Sequence, residues 1–137
     1  MPAEFFSGLG NLQKVYLDSN KLTQLLANIF SSLSSLQILG LSSNDLTHLR
    51  AEAFSGLNKL QKLDLRSNNL SELPAEVFSG LSNLQELDLH FNKLNELPAE
   101  VWDDVFSELD SLQKLFLYGN GLKELPTICS SIDCPNH

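Results

Sequence analysis

Five times the chain repeats leucine, two residues, leucine, one residue, leucine, two residues, asparagine, one residue, leucine, with one valine substituted. The copies are LQKVYLDSNKL, LQILGLSSNDL, LQKLDLRSNNL, LQELDLHFNKL and LQKLFLYGNGL. A period of this length marks stacked structural repeats, and it sets the fold before any other feature is read. The asparagines Asn20, Asn44, Asn68, Asn92 and Asn120 stand 24, 24, 24 and 28 residues apart. The longer last interval carries an extra segment around Trp102, Asp103, Asp104 and Val105.

Each part of the phrase has a physical task. Between the leucines lies a short alternating strand, so Leu36, Leu39 and Leu41 point inward while Ile38, Gly40 and Ser42 point outward. Asparagine ends the strand at a tight turn, where its amide can bond backbone groups that the turn leaves unpaired, and stacked copies make a polar ladder. Phe6, Phe30, Phe54, Phe78 and Phe106 each precede a leucine by three residues and read as an aromatic column filling the convex side. No repeat can bury its apolar face alone, so stability depends on contact between neighbours.

Strand parity also selects the outward residues of the concave sheet. They are Lys14, Tyr16 and Asp18; Ile38, Gly40 and Ser42; Lys62, Asp64 and Arg66; Glu86, Asp88 and His90; and Lys114, Phe116 and Tyr118, with Phe91 at the border. These positions vary from repeat to repeat while the leucines do not, as expected of a fixed scaffold presenting a variable face. Asp64 and Asp88 hold the same place in successive repeats, about 5 Å apart on adjacent strands, with Glu86 close by. That cluster can attract a cationic group, an amine-bearing polymer or a calcium ion. The competing reading is that Lys62 and Arg66 neutralise it locally. Tyr16, Phe116, Tyr118, Phe91 and Ile38 are large residues outside the core and suit anchoring in an interface or against a sugar face.

The net charge of −8, from 17 acidic and 9 basic residues, disfavours nucleic acid and anionic membranes, which need a basic stripe. No apolar run is long enough to span a bilayer, and MPAEFFSGLG lacks a signal core, so neither membrane insertion nor a signal peptide is expected in this chain. His48, His90 and His137 lie in distant segments without paired metal spacing, a nucleophile elbow or a phosphate loop. The expectation is no enzyme, no cofactor and no metal site. Asn69-Leu70-Ser71 is a weak N-glycosylation triplet.

The phrases LQELDLHFNKLNELPAEVW and LQKLDLRSNNLSELPAEVFSGL follow the longer form LxxLxLxxNxLxxLPxxxFxxLxx. On them, from Pro2 to Pro126, the chain resembles the extracellular type of leucine-rich repeat protein. LPAEVFSGLSNLQELDL and AEAFSGLNKLQKLDL resemble the diversity repeats of the variable lymphocyte receptors of jawless vertebrates. Toll-like receptor ectodomains and small leucine-rich proteoglycans share these phrases more loosely. The resemblance implies a right-handed α/β solenoid, a curved horseshoe with a concave parallel sheet of about five strands. It also implies extracellular or cell-surface localisation. Residues 1–137 then form one domain, with 1–11 as the tail of a preceding repeat or an N-terminal edge, 12–126 as five repeats and 127–137 as an end segment.

Secreted members of the family usually close with a four-cysteine cap after an NPW-like phrase, and here that cap is absent or cut short. The two cysteines, Cys129 and Cys134, are either a disulfide closing CSSIDC or two free thiols, and the even count in an extracellular type favours the disulfide. The functional expectation is a monomeric recognition protein binding a protein or glycan antigen, or a cationic microbial surface polymer. Its binding residues are Asp18, Asp64, Glu86, Asp88, His90 and Tyr118, with Tyr16, Phe116 and Arg66 beside them. The alternatives are a structural or adaptor module that assembles with proteins, and a designed repeat scaffold, against which the drifting repeat LTQLLANIFSSLSSL counts.

Overall fold

A computed structural model describes Pro2 and residues 4–135; His137 lies outside the described residues. Five strands of three residues each, β1 (Lys14–Tyr16), β2 (Ile38–Gly40), β3 (Lys62–Asp64), β4 (Glu86–Asp88) and β5 (Lys114–Phe116), form one parallel sheet in chain order. Register advances by one whole repeat at each step, pairing Lys14 with Ile38, Ile38 with Lys62, Lys62 with Glu86 and Glu86 with Lys114. The chain is thus a solenoid, and the leucine columns predicted to point inward form its core. Val15, Leu39, Leu63, Leu87 and Leu115 are the single inward residue of each strand, and all are buried.

On the convex side each repeat turns twice in succession. The Leu33 amide donates to the Phe30 carbonyl and the Leu36 amide to the Leu33 carbonyl, at 3.0 and 3.2 Å, and equivalent bonds recur in the other four repeats. Phe30, Phe54, Phe78 and Phe106 stack nearly parallel at 6.2–6.4 Å between ring centroids. Strands on the opposite side of each repeat are spaced about 4.8 Å apart. The wider spacing on the phenylalanine side bends the stack, which makes the sheet the concave face.

The α component is smaller than an α/β label suggests. Among the described residues there is one α-helix, α1 (Ala99–Phe106), and one 3-10 helix, Thr127–Ser130. The 24-residue repeats leave too little chain for a helix and return through turns. The four extra residues of the last interval supply one. Trp102, Val105, Phe106 and Leu109 fall at i, i+3, i+4 and i+7 and are all buried, the stripe of a helix lying on a core. Trp102 stacks on Phe106 at 5.4 Å, so the insertion extends the aromatic column without breaking it.

Cys129 and Cys134 form a disulfide. It closes a segment held at both sides, by Thr127 Oγ1 donating to Asp103 Oδ1 at 2.6 Å and by Asp133 pairing with β5. In that pairing the Leu115 amide donates to the Asp133 carbonyl and the Asp133 amide to the Gln113 carbonyl, at 2.9 and 3.0 Å. At the other end Phe5 and Leu9 are exposed.

Candidate binding face

The asparagine ladder holds the concave face rigid. Asn68 donates through Nδ2 to the carbonyls of Leu41, Leu65 and Arg66 at 3.0–3.2 Å and accepts the Leu46 amide at 3.2 Å. Asn44, Asn92 and Asn120 repeat the arrangement one repeat apart. Only a side-chain amide offers donors and an acceptor at this reach, since an aspartate would lack the donors and a serine the length. Strand ends fixed in this way place the outward side chains in columns with little freedom to drift.

The structure brings Asp64, Glu86 and Asp88 together, since Asp64 and Asp88 are register partners and Glu86 lies two residues before Asp88. It does not leave them as an open acidic patch. Glu86 pairs with Lys62 at 3.4 Å, and Asp64 accepts the Arg66 amide at 3.1 Å with the Arg66 Nε 3.7 Å away. Asp88 is 8 % exposed and its Oδ1 meets His90 Nδ1. Asp18 is also engaged, its Oδ1 accepting the Ser42 amide at 2.8 Å and the Ser42 hydroxyl at 2.7 Å. Gly40 makes room for this, because a Cβ there would stand 2.9 Å from the Asp18 carboxylate.

The outward columns hold four acids, Asp18, Asp64, Glu86 and Asp88, and four bases, Lys14, Lys62, Arg66 and Lys114. This face is therefore balanced, and the chain's net charge of −8 is carried elsewhere. Part of it forms the column Glu72, Glu96 and Glu124, where Glu72 pairs with His48 at 3.2 Å between exposed side chains. Among the described residues no group of three or more histidines, cysteines or carboxylates is placed to hold a metal ion. Asn69, of the glycosylation triplet, is half-buried, with its amide on the Leu46 carbonyl at 2.8 Å.

Burial pushes the Asp88 carboxyl above its ordinary range. The His90 backbone amide and the imidazole charge pull it down, and the neighbouring Asp64 adds to the rise. His90 is 7 % exposed and lies under an aromatic group at the β5 end of the face. Its ring stacks on Tyr118 at 4.2 Å and 10°, and meets Phe91 edge-on at 4.9 Å and Phe116 at 6.4 Å. Phe91 meets Tyr118 edge-on at 5.4 Å. Tyr16 stands apart from this group in the first repeat and is 62 % exposed.

One residue of this face outranks its place in the sequence reading, which put Phe91 at the border. The residue just before each ladder asparagine has a left-handed backbone, with φ from 56° to 75° at Ser19, Ser43, Ser67, Phe91 and Gly119. Serine and glycine are compact there, whereas a bulky side chain in this region is an outlier. Phe91 is nonetheless there and 54 % exposed. Its ring occupies the space above Gly119, where a Cβ would come within 2.2 Å of the Phe91 ring. The signal available in the sequence was the column Ser, Ser, Ser, Phe, Gly.

No helix among the described residues is long and apolar enough to cross a membrane. The leucine rich repeat family profile matches residues 1–46, 34–94 and 59–122. A search of curated proteins finds no match. Among solved structures, the chain is similar to one in the crystal structure of the TLR13–ssRNA13 complex, at 36 % identity and a TM-score of 0.80 over 85 % of this chain. It is similar to one in the complex of Toll and Spätzle from Drosophila, at 32 % identity and 0.78 over 88 %. It is also similar to the leucine-rich repeat domain of APL1B, at 25 % identity and 0.75 over 86 %. The aligned part is 17 %, 15 % and 34 % of those three chains, so this chain spans a minor share of each. With profile matches running from residue 1 to residue 122, the chain belongs to the leucine-rich repeat family.

Proposed function

We propose that this chain is a non-enzymatic recognition module that binds a protein or microbial surface antigen through its concave sheet, in an extracellular immune role similar to that of a variable lymphocyte receptor. One observation carries the reading: no two repeats present the same outward triplet, although Lys recurs at positions 14, 62 and 114 and Asp at 64 and 88, while the leucines and asparagines beneath them scarcely change. A rigid sheet with an independently chosen surface is economical for binding and supplies no group positioned for bond chemistry. The disulfide suits an oxidising compartment. Two similar structures are complexes with a protein and with an RNA, and the net charge of −8 favours a protein over an RNA for this chain.

The test is binding of the purified chain to a panel of microbial cells, wall glycans and secreted proteins. A concave variant, D64N/E86Q/Y118S, is compared with a convex control, E76Q/E108Q. Loss of binding in the first and retention in the second supports recognition by the sheet. The reverse pattern transfers the function to the convex side and to the adaptor reading.

A further inference from the structure

The first strand of the sheet is also its open edge. Among the described residues β1 pairs with β2 on one side and has no neighbour on the other, whereas β5 is closed on its outer side by Asp133. The second repeat bonds back to the first: the Ile38 amide donates to the Gln13 carbonyl at 3.0 Å, and the Gly40 and Ser42 carbonyls accept the Leu17 and Ser19 amides at 2.8 and 3.0 Å. The groups that match these in the first repeat are the Lys14 amide and the Tyr16 and Asp18 carbonyls. They face the open side, and a row of unpaired backbone groups is a template for another strand.

The side chains of β1 and the turn after it fit a second copy of themselves. Along the concave face they present Lys14, Tyr16 and Asp18, opposite charges on either side of an aromatic centre. Antiparallel pairing with another β1 about Tyr16 sets Tyr16 opposite its own copy and each Lys14 opposite an Asp18, all on one face. In that register the backbone groups of residues 14, 16 and 18 meet their counterparts, because alternate residues of a strand direct their amides and carbonyls to the same edge. Both charges have capacity left for the contact. None of the ion pairs among the described residues uses Lys14, and Asp18 takes both Ser42 bonds on Oδ1, which leaves Oδ2 for an ammonium group. No other strand carries a triplet of this symmetry. Of the four large apolar or aromatic side chains exposed among the described residues, Phe5, Leu9 and Tyr16 lie at this end.

We propose that β1 is a dimerisation edge that takes β1 of a second copy of this chain, antiparallel and centred on Tyr16, in place of the monomer expected from the sequence. A contact of a surface with itself closes at two copies, and the covered edge of β5 blocks head-to-tail stacking. The two concave sheets then run on as one, so a ligand with repeated features meets two faces at once. The inference does not depend on what the concave sheet binds, and its failure leaves recognition by the sheet intact.

Sedimentation equilibrium of the purified chain from about 1 to 100 μM, where modest interfaces dissociate, tests it. The samples are the wild type, Lys14→Glu, Asp18→Lys, an equimolar mixture of those two variants, and Tyr16→Pro, with thermal unfolding of each as a check on folding. The wild type should show a monomer–dimer equilibrium. Lys14→Glu and Asp18→Lys, in which each facing pair becomes like-charged, should dimerise at least tenfold more weakly, and the mixture, in which every pair is opposite again, should recover the dimer. Tyr16→Pro removes an amide that points to the open edge and no bond to β2, so it should be folded and monomeric. If Asp18→Lys does not fold without its bonds to Ser42, Lys14→Glu and Tyr16→Pro decide. A wild type that stays monomeric, species larger than a dimer, a dimer that Lys14→Glu and Tyr16→Pro leave intact, or folded charge variants that do not associate when mixed overturns the inference.

Discussion

Burial raises the proton affinity of Asp88 in the folded state, so the native form binds a proton more tightly there than the unfolded chain does. Its contribution to stability is therefore fully present below the unfolded pKa, about 3.9, and is lost as pH rises through the higher folded value. Asp88→Asn removes a buried charge and should be more stable than the wild type at pH 7, with the difference shrinking toward pH 3.5. Urea unfolding at the two pH values checks this, and a difference that grows as pH falls would show that the contact with His90 outweighs burial. A second residue-scale prediction concerns Phe91 and Gly119. Gly119→Ala places a methyl group inside the Phe91 ring and in a left-handed backbone at φ 75°. The backbone part alone costs about 1–2 kcal/mol, and the clash adds to it. In the Phe91→Ser background the clash is gone, so Gly119→Ala should cost only the backbone part. Equal cost in both backgrounds would mean that the ring moves aside freely and is not buttressed. Nothing in the composition of the sequence announces this pair, because the left-handed turn is a property of the ladder and appears only when the column is read down the stack.

At the scale of the element, the asparagine ladder joins strand to strand. Asn68→Ala orphans the buried Leu46 amide and removes one of two donors from the Leu41, Leu65 and Arg66 carbonyls, which keep Asn44 Nδ2, Asn92 Nδ2 and the Ser43 amide, so the expected loss is about 1–3 kcal/mol, the cost of one unsatisfied buried group. Asn20 is the control. It is exposed and its side chain makes one bond, to the Asp18 carbonyl at 3.2 Å, so Asn20→Ala should cost below about 1 kcal/mol. Similar losses at both positions, measured by urea unfolding, would show that the ladder works through local turn preference and not through bonds between repeats. The ladder, the leucine columns and the phenylalanine column were legible in the sequence because each is strictly periodic and each residue type has a single physical use there. The return segments were less so, since turns and short helices share a composition and only the 28-residue interval hinted at α1. Among the concave residues, parity gave the facing direction of the fifteen outward positions, Gly40 among them. Local neutralisation by Lys62 and Arg66 was one of the two readings that the sequence offered for the acidic cluster, and the pairs Lys62–Glu86 and Arg66–Asp64 match it; the bonds of Asp18 to Ser42 were not legible, because they depend on rotamers and on the room left by Gly40.

Across the whole molecule, strands contact only their neighbours in sequence order, so stability is a chain of interfaces and each end is its own weak point. The concave face is neutral while the rest of the molecule is acidic, which separates long-range attraction from the contacts that discriminate. At the β5 end the disulfide segment covers an edge strand that would otherwise leave the Leu115 amide and the Gln113 carbonyl without partners. Cys129 and Cys134 close a short loop, five residues apart, and loss of a cross-link of that size costs on the order of 2 kcal/mol. In a globular domain such a loss spreads over the whole fold. In a solenoid it should fall first on the interface that the bond secures, between Asp133 and β5, and fade over one or two repeats. Hydrogen exchange resolves the two cases residue by residue. In C129S/C134S the Leu115 and Asp133 amides should exchange faster, while the Leu41 amide, bonded to the Asp64 carbonyl at 2.8 Å in the middle of the stack, should keep its wild-type rate. An equal acceleration at Leu41 and Leu115 would mean that five repeats unfold as one unit and that the end segment supports the entire sheet; an unchanged rate at Leu115 would mean that the pairing of Asp133 with β5 needs no covalent support.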